Sequence, residues 1–145
     1  MRLFIRLARL ALIGLLLFSC GQVPQSKGES VNREQMEQLA RIKLPPSSQD
    51  IEVHTESGID TLILLRFTVS ESDLKAFLID AGYTEPLKSG FHPFSSQEIR
   101  GVPWWNPDDA KDVMGGFMNT KDWASEIMVD VSGTQLIVYL KAFDL

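Results

Sequence analysis

Cys20 is the only thiol in the 145-residue sequence, and it stands at the end of the most apolar run. A thiolate is the nucleophile that acylation requires, and no other side chain here supplies one. The remaining groups with chemical potential are sparse. His54 and His92 are the only histidines; a zinc site or a nucleophile–base pair needs partners at ligand spacing, and no His-x-x-x-His or His-Glu-x-x-His is present. Both therefore read as exposed and non-catalytic, His54 facing solvent beside Glu52 and His92 in an aromatic loop before Pro93. Asp108, Asp109 and Asp112 suggest calcium at first sight, but "DDAKD" lacks the ligand positions and central glycine of a calcium loop. Acidic residues at a helix start complement its dipole, which accounts for them. No Gly-x-Ser-x-Gly elbow occurs, and Gly115-Gly116 follows a predicted helix instead of opening one, so no phosphate loop is indicated. The pattern implies no catalytic residue, no metal and no cofactor.

The surroundings of Cys20 are more specific. Arg2, Arg6 and Arg9 precede an unbroken apolar run over residues 10–18, the layout of a secretory signal. A membrane span needs about 20 apolar residues, roughly twice this run. Leu17-Phe18-Ser19-Cys20 resembles the lipobox of bacterial lipoproteins, with a leucine three residues before the cysteine and a small residue just before it. That resemblance implies a diacylglyceryl group on the Cys20 thiol, cleavage between Ser19 and Cys20, and palmitate-like acylation holding the chain on a membrane. One acyl chain binds marginally, whereas two anchor stably, because each buried methylene contributes about 0.8 kcal/mol. Gly21 stands where an aspartate resembles an inner-membrane retention signal in some Gram-negative bacteria, which favours outer-membrane sorting where such a membrane exists. The expected location is the cell envelope, lipid-anchored to the cell membrane or outer membrane, with the domain facing periplasm or cell surface.

Three parts follow: a signal peptide over 1–19, a lipidated cysteine and flexible tether over 20–30, and one domain over 31–145. The tether, "GQVPQSKGES", is polar, rich in Gly, Pro and Ser, and aperiodic. The formal charge of −5 becomes more negative once the three leader arginines are removed, so the domain lacks the basic footprint of a nucleic-acid binder. With Cys20 consumed no disulfide can form, and packing alone must hold the fold.

The elements that would position any site are legible from periodicity. "NREQMEQLARIKL" has an Asn32 cap and an apolar set of Met36, Leu39 and Ala40 before Pro45 and Pro46, predicting a helix over 33–42. "IEVHT" alternates, Ser57-Gly58 turns, and "IDTLILLRFTV" is apolar on both faces; "EIMVDV", Ser132-Gly133 and "TQLIVYL" repeat that plan. Alternating strands belong at sheet margins and doubly apolar ones at the centre. The expected fold is α+β: a four-stranded, mainly antiparallel sheet from two hairpins in the order 1-2-4-3. A clear helix over "SESDLKAFLIDAG" follows the first hairpin, with Ser70 and Asp73 as a capping box and Gly82 as its stop. A short helix from Asn106-Pro107 precedes the second.

Residues 83–105 carry Phe91, Phe94, Trp104 and Trp105 with only a weak turn at "SSQEI". Loops this long are usually functional or contain unrecognised structure. Two readings stand: the aromatics cover the sheet face left open by the helices, or Phe91, His92, Phe94, Trp104 and Trp105 form a binding surface for an envelope protein or cell-wall glycan. The Leu-Pro-Pro-Ser lead-in, "ESDLKAFL", "WWNP" and the closing hairpin also resemble small uncharacterised bacterial lipoproteins and exported domains, which implies fold and envelope location and carries over no activity residue by residue. The leading expectation is a non-enzymatic, membrane-anchored lipoprotein with a binding or accessory role. Its rivals are an envelope hydrolase acting on glycan or ester, and a structural spacer.

Overall fold

Alternation at Ile51 and Val53 and the doubly apolar run from Leu62 onward become the first two strands of an antiparallel sheet, β1 (Gln49–Ser57) and β2 (Thr61–Val69). The computed structural model describes residues 32–145; the leader, Cys20 and the tether lie outside the described residues. Among the described residues two α-helices accompany the sheet, α1 (Arg33–Ala40) and α2 (Glu71–Asp80). After α2 come β3 (Lys88–Ser89), β4 (Val113–Asn119), β5 (Trp123–Asp130) and β6 (Leu136–Asp144). The strand order is β1-β2-β6-β5-β4-β3, with every pair antiparallel.

The sheet therefore has six strands and not four. The two expected hairpins supply β1-β2-β6-β5, and β4 and β3 extend the sheet beyond β5. The helix expected after Asn106 is a single 3₁₀ turn, Pro107–Asp109. Its second turn is lost to strand pairing: Ala110 is already extended, Val131 N–H donates to the Asp112 carbonyl at 2.8 Å, and Val113 opposes Asp130. Val113-Met114 and Phe117-Met118 flank two glycines, a pattern that obscures a strand because glycine weakens it unless another backbone approaches closely. That approach occurs here. A Cβ on Gly115 would collide with the Phe91 carbonyl, and one on Gly116 would lie 2.7 Å from Leu87 Cδ2.

Each face of the sheet carries its own core. On one face Ile63, Leu65, Phe67, Ile127, Val129, Val138 and Leu140 pack with Met36 and Ala40 of α1 and Phe77 of α2. Phe67 and Phe77 meet edge-to-face at 5.4 Å. On the other, Leu64, Met128, Tyr139 and Val113 are covered by Phe94, Val102 and Trp105 from the 83–105 segment.

The Leu-Pro-Pro-Ser segment is tied to both helices. Arg33 Nη2 donates to the Leu44 and Pro45 carbonyls, each at 2.7 Å, and Glu37 Oε1 accepts the Leu44 N–H at 3.0 Å. Asn32 caps α1 by accepting from Glu34 N–H at 3.3 Å. The capping box expected at Ser70 does not form. Asp73 Oδ2 instead accepts from Ser47 N–H at 3.3 Å, and Ser70 Oγ lies 3.2 Å from Ser47 Oγ, so the residues that read as a cap dock the segment leading into β1. Gly82, at φ +89°, ends α2 as a C-terminal stop.

Candidate functional site

The five aromatic-loop candidates separate by burial. Phe94 and Trp105 are each only 3% exposed and belong to the second core. Their rings lie 5.1 Å apart, Trp105 meets Tyr139 edge-to-face at 5.6 Å, and Trp104 leans on Trp105 at 5.9 Å. Trp104 and Phe91 are half-buried, and His92 is exposed. The aromatics thus close the sheet face that the helices leave open.

The polar candidates are held in local structure. His54 Nε2 is 3.1 Å from Glu56 Oε1, on the strand face that Glu52 shares, and the residue is half-buried instead of fully exposed. Asp108 Oδ2 accepts Ser96 N–H at 3.0 Å, and Asp109 Oδ2 accepts from Asn106 Nδ2 at 2.7 Å. These bonds pin the 3₁₀ turn to the loop. Among the described residues no three His, Cys, Asp or Glu side chains converge as metal ligands would.

A further concavity lies elsewhere, at a place that residue types alone did not mark. A groove of about 630 Å³ runs between the end of α2 with the chain after it (Asp80, Gly82, Thr84, Glu85) and the far end of β4 (Phe117, Met118, Asn119). Trp123, 4% exposed, and Arg41 complete it. Arg41 reaches it because α1 ends there: its backbone turns left-handed (φ +53°) and its guanidinium sits 4.5 Å from the centre of the Trp123 indole. At a cation this exposed such stacking contributes about 0.5–1 kcal/mol. A 3.3 Å contact from Arg41 Nη2 to Asp144 Oδ1 fixes the other side of this cation. Asp80 and Glu85 are exposed on the opposite wall, and no ion pair engages them among the described residues.

The groove exists because β3 is short. β3 pairs only Lys88 with Gly115 and Ser89 with Met114. Pro86, two residues earlier, has no N–H to continue the ladder, and the chain swings over the sheet so that Gly82 rests beside Met118 and Tyr83 enters the core. Glu85 and Pro86 flank the outer side of Phe117 across a narrow cleft of about 20 Å³, and from there on β4 has no paired strand on that side among the described residues. Phe117 there is 59% exposed, one of the few large apolar side chains in solvent among the described residues. The signal in the sequence was Pro86 before a two-residue strand, which becomes readable only once β4 is recognised.

Among the described residues no helix is long and apolar enough to cross a membrane. Comparison of the chain with protein-family models, with curated proteins and with solved structures finds no match to any of the three.

Proposed function

We propose that this chain is a lipid-anchored protein of the bacterial cell envelope whose domain binds a partner in the groove beside β4 and performs no chemistry on it. The anchor half of this reading is supported by Leu17-Phe18-Ser19-Cys20 following a basic and apolar leader. The binding half is carried by one observation: a 630 Å³ groove with an exposed Phe117 at its rim and an Arg41–Trp123 stack in its wall. Apolar rims with a few fixed polar groups are what binding sites use to gain affinity and orientation. Phe94 and Trp105 have structural work in the second core, so binding moves from the aromatic loop to this groove.

Two measurements test it. Mass spectrometry of the protein purified from membranes is expected to find Cys20 as an acylated N-terminus, and Cys20→Ser is expected to release the chain into the soluble fraction. Intact lipidated protein is then used to capture partners from solubilised envelopes. Phe117→Ser is expected to lose partners that Trp104→Ala retains; equal recovery by both variants would place the site elsewhere.

Asp80 and Glu85 lining one groove favour a second reading, a hydrolase using two carboxylates. Both are exposed, whereas a general acid needs a desolvated site. Hydrolysis of envelope glycans or esters that disappears in both Asp80→Asn and Glu85→Gln would establish that reading instead.

A further inference from the structure

The backbone along the groove is as informative as its side chains. Gly90 N–H donates to the Val113 carbonyl at 2.8 Å, so Val113 turns its backbone groups outward, toward β3. Thr120 N–H donates at 2.7 Å to the Trp123 carbonyl, so Thr120 turns inward, toward β5. Successive residues of a strand alternate in this respect. Gly115, Phe117 and Asn119 consequently point outward as Val113 does, while Met114, Gly116 and Met118 bond to β5. β3 meets Gly115, and nothing among the described residues meets the outward N–H and C=O of Phe117 or Asn119. Four adjacent main-chain groups, two donors and two acceptors, are thus unpaired at the place where the groove runs.

We infer that the groove accepts an extended peptide that pairs with Phe117 and Asn119 as an additional strand in line with β3, with cationic side chains toward the groove and apolar ones toward Phe117. This rests on the reading that the groove binds a partner, and it names the partner's chemistry. Strand addition takes affinity from main-chain hydrogen bonds and specificity from alternate side chains. Met118 and Phe117 lie on opposite faces of β4, so an incoming strand meets two surroundings in alternation. On the Met118 side its side chains face Asp80 and Glu85, which form no ion pair among the described residues, while Arg41 is already engaged by Asp144. On the Phe117 side they meet an exposed ring. An alternating cationic–apolar peptide complements both.

The opposite edge of the sheet is guarded by contrast. β1 carries an irregularity between Gln49 and Glu52, with Asp50 at φ +49°, and exposes Glu52 and Glu56 along its length. Bulges and charges of this kind discourage edge pairing. β4 lacks both over Phe117-Met118-Asn119, where the neighbouring chain has moved aside.

The test uses full-length lipidated protein in detergent micelles and two blocked hexapeptides, one alternating Lys and Val, the other Glu and Val. Added Lys-Val peptide is expected to slow amide hydrogen exchange at Phe117 and Asn119, and the Glu-Val peptide to bind at least about tenfold more weakly. Asn119→Pro removes an outward N–H without touching the β4–β5 ladder. It is expected to keep the unfolding midpoint and lose roughly tenfold in peptide affinity, the value of one hydrogen bond, while Asn119→Ala binds as the parent does. Met118→Pro removes an inward N–H and is expected to destabilise the fold, which verifies the alternation. Peptide binding that Asn119→Pro leaves unchanged but Phe117→Ser abolishes would overturn strand addition and leave a side-chain groove standing. Binding of neither peptide, with Phe117 and Asn119 protected instead in a concentration-dependent dimer, would replace the peptide by a second copy of the chain. Exchange at both residues unaffected by peptide and by protein concentration, with Phe117→Ser retaining every envelope partner, would overturn both readings.

Discussion

Trp104 and Trp105 are neighbours in sequence with opposite duties. Trp105 is 3% exposed, flanked by Phe94 and Tyr139, and its truncation leaves a cavity in the second core. Trp105→Ala is expected to cost about 3–5 kcal/mol in urea unfolding. Trp104, half-buried, keeps one side in solvent, and Trp104→Ala is expected to cost about 1 kcal/mol. Equal large losses would mean that Trp104 is as much a part of the core as Trp105. The sequence marks all of these aromatics as important but does not say to what. A tryptophan between another tryptophan and an asparagine reads the same whether it stacks on a ligand or on Tyr139, because the deciding partner lies on a strand more than thirty residues away. The groove was even less legible: Arg41 reads as the tail of a helix and Trp123 falls before the strand that the alternation marks, while in the structure the left-handed turn at Arg41 sets its guanidinium over the Trp123 ring.

Among the elements, periodicity reveals those that bury one consistent face, which is why α1, α2, β1, β2, β5 and β6 have counterparts in the sequence reading. β4 escaped because its pattern is broken by Gly115-Gly116, and β3 because two residues carry no period. Both glycines are explained by close approach across the edge of the sheet. Gly115→Ala would place a methyl group against the Phe91 carbonyl, a backbone atom held by the β3–β4 connection, whereas Gly116→Ala meets only the end of the Leu87 side chain, which can rotate. Gly115→Ala is therefore expected to lower stability by at least about 2 kcal/mol and to raise hydrogen exchange at Lys88 and Gly90. Gly116→Ala is expected to cost about 1 kcal/mol or less, since a shifted rotamer accommodates it. Similar losses in chemical denaturation of the two variants would show that residues 88–91 are not anchored as described. The short 3₁₀ turn follows the same logic. Local signals at Asn106-Pro107-Asp108 favour a helix start, and the pairing of Val113 with Asp130 overrides them.

At the scale of the whole molecule, the two faces of the sheet share a dependence on alkaline pH. In the first core Tyr83 is buried with its hydroxyl 2.8 Å from Ser125 Oγ. Burial, opposed by that hydrogen bond and reinforced by the nearby Glu126 charge, pushes its pKa far above the usual tyrosine value. On the second face burial disfavours the charged form of Lys141, but hydrogen bonds and ion pairs with Glu98 at 3.0 Å and Glu126 at 3.1 Å outweigh it and hold the pKa above the usual lysine value. In both cases the folded state keeps a proton that the unfolded state gives up. The contributions are therefore complete below about pH 10 and are lost as pH rises through the folded-state values. Urea unfolding followed from pH 8 to 11.5 is expected to show a plateau and then a decline, with Tyr83 alone contributing about 1.4 kcal/mol per pH unit above 10. Tyr83→Phe should lower the plateau by about 1–3 kcal/mol, because Ser125 loses its partner, and flatten the decline. Lys141→Met should flatten it less, since its cation is partly solvated and removing it leaves Glu98 and Glu126 facing each other. An unchanged slope in Tyr83→Phe would mean that this hydroxyl reaches water in the folded protein. The first core beneath β5 would then be open to solvent, and so would the wall of the groove that Trp123 shares with it.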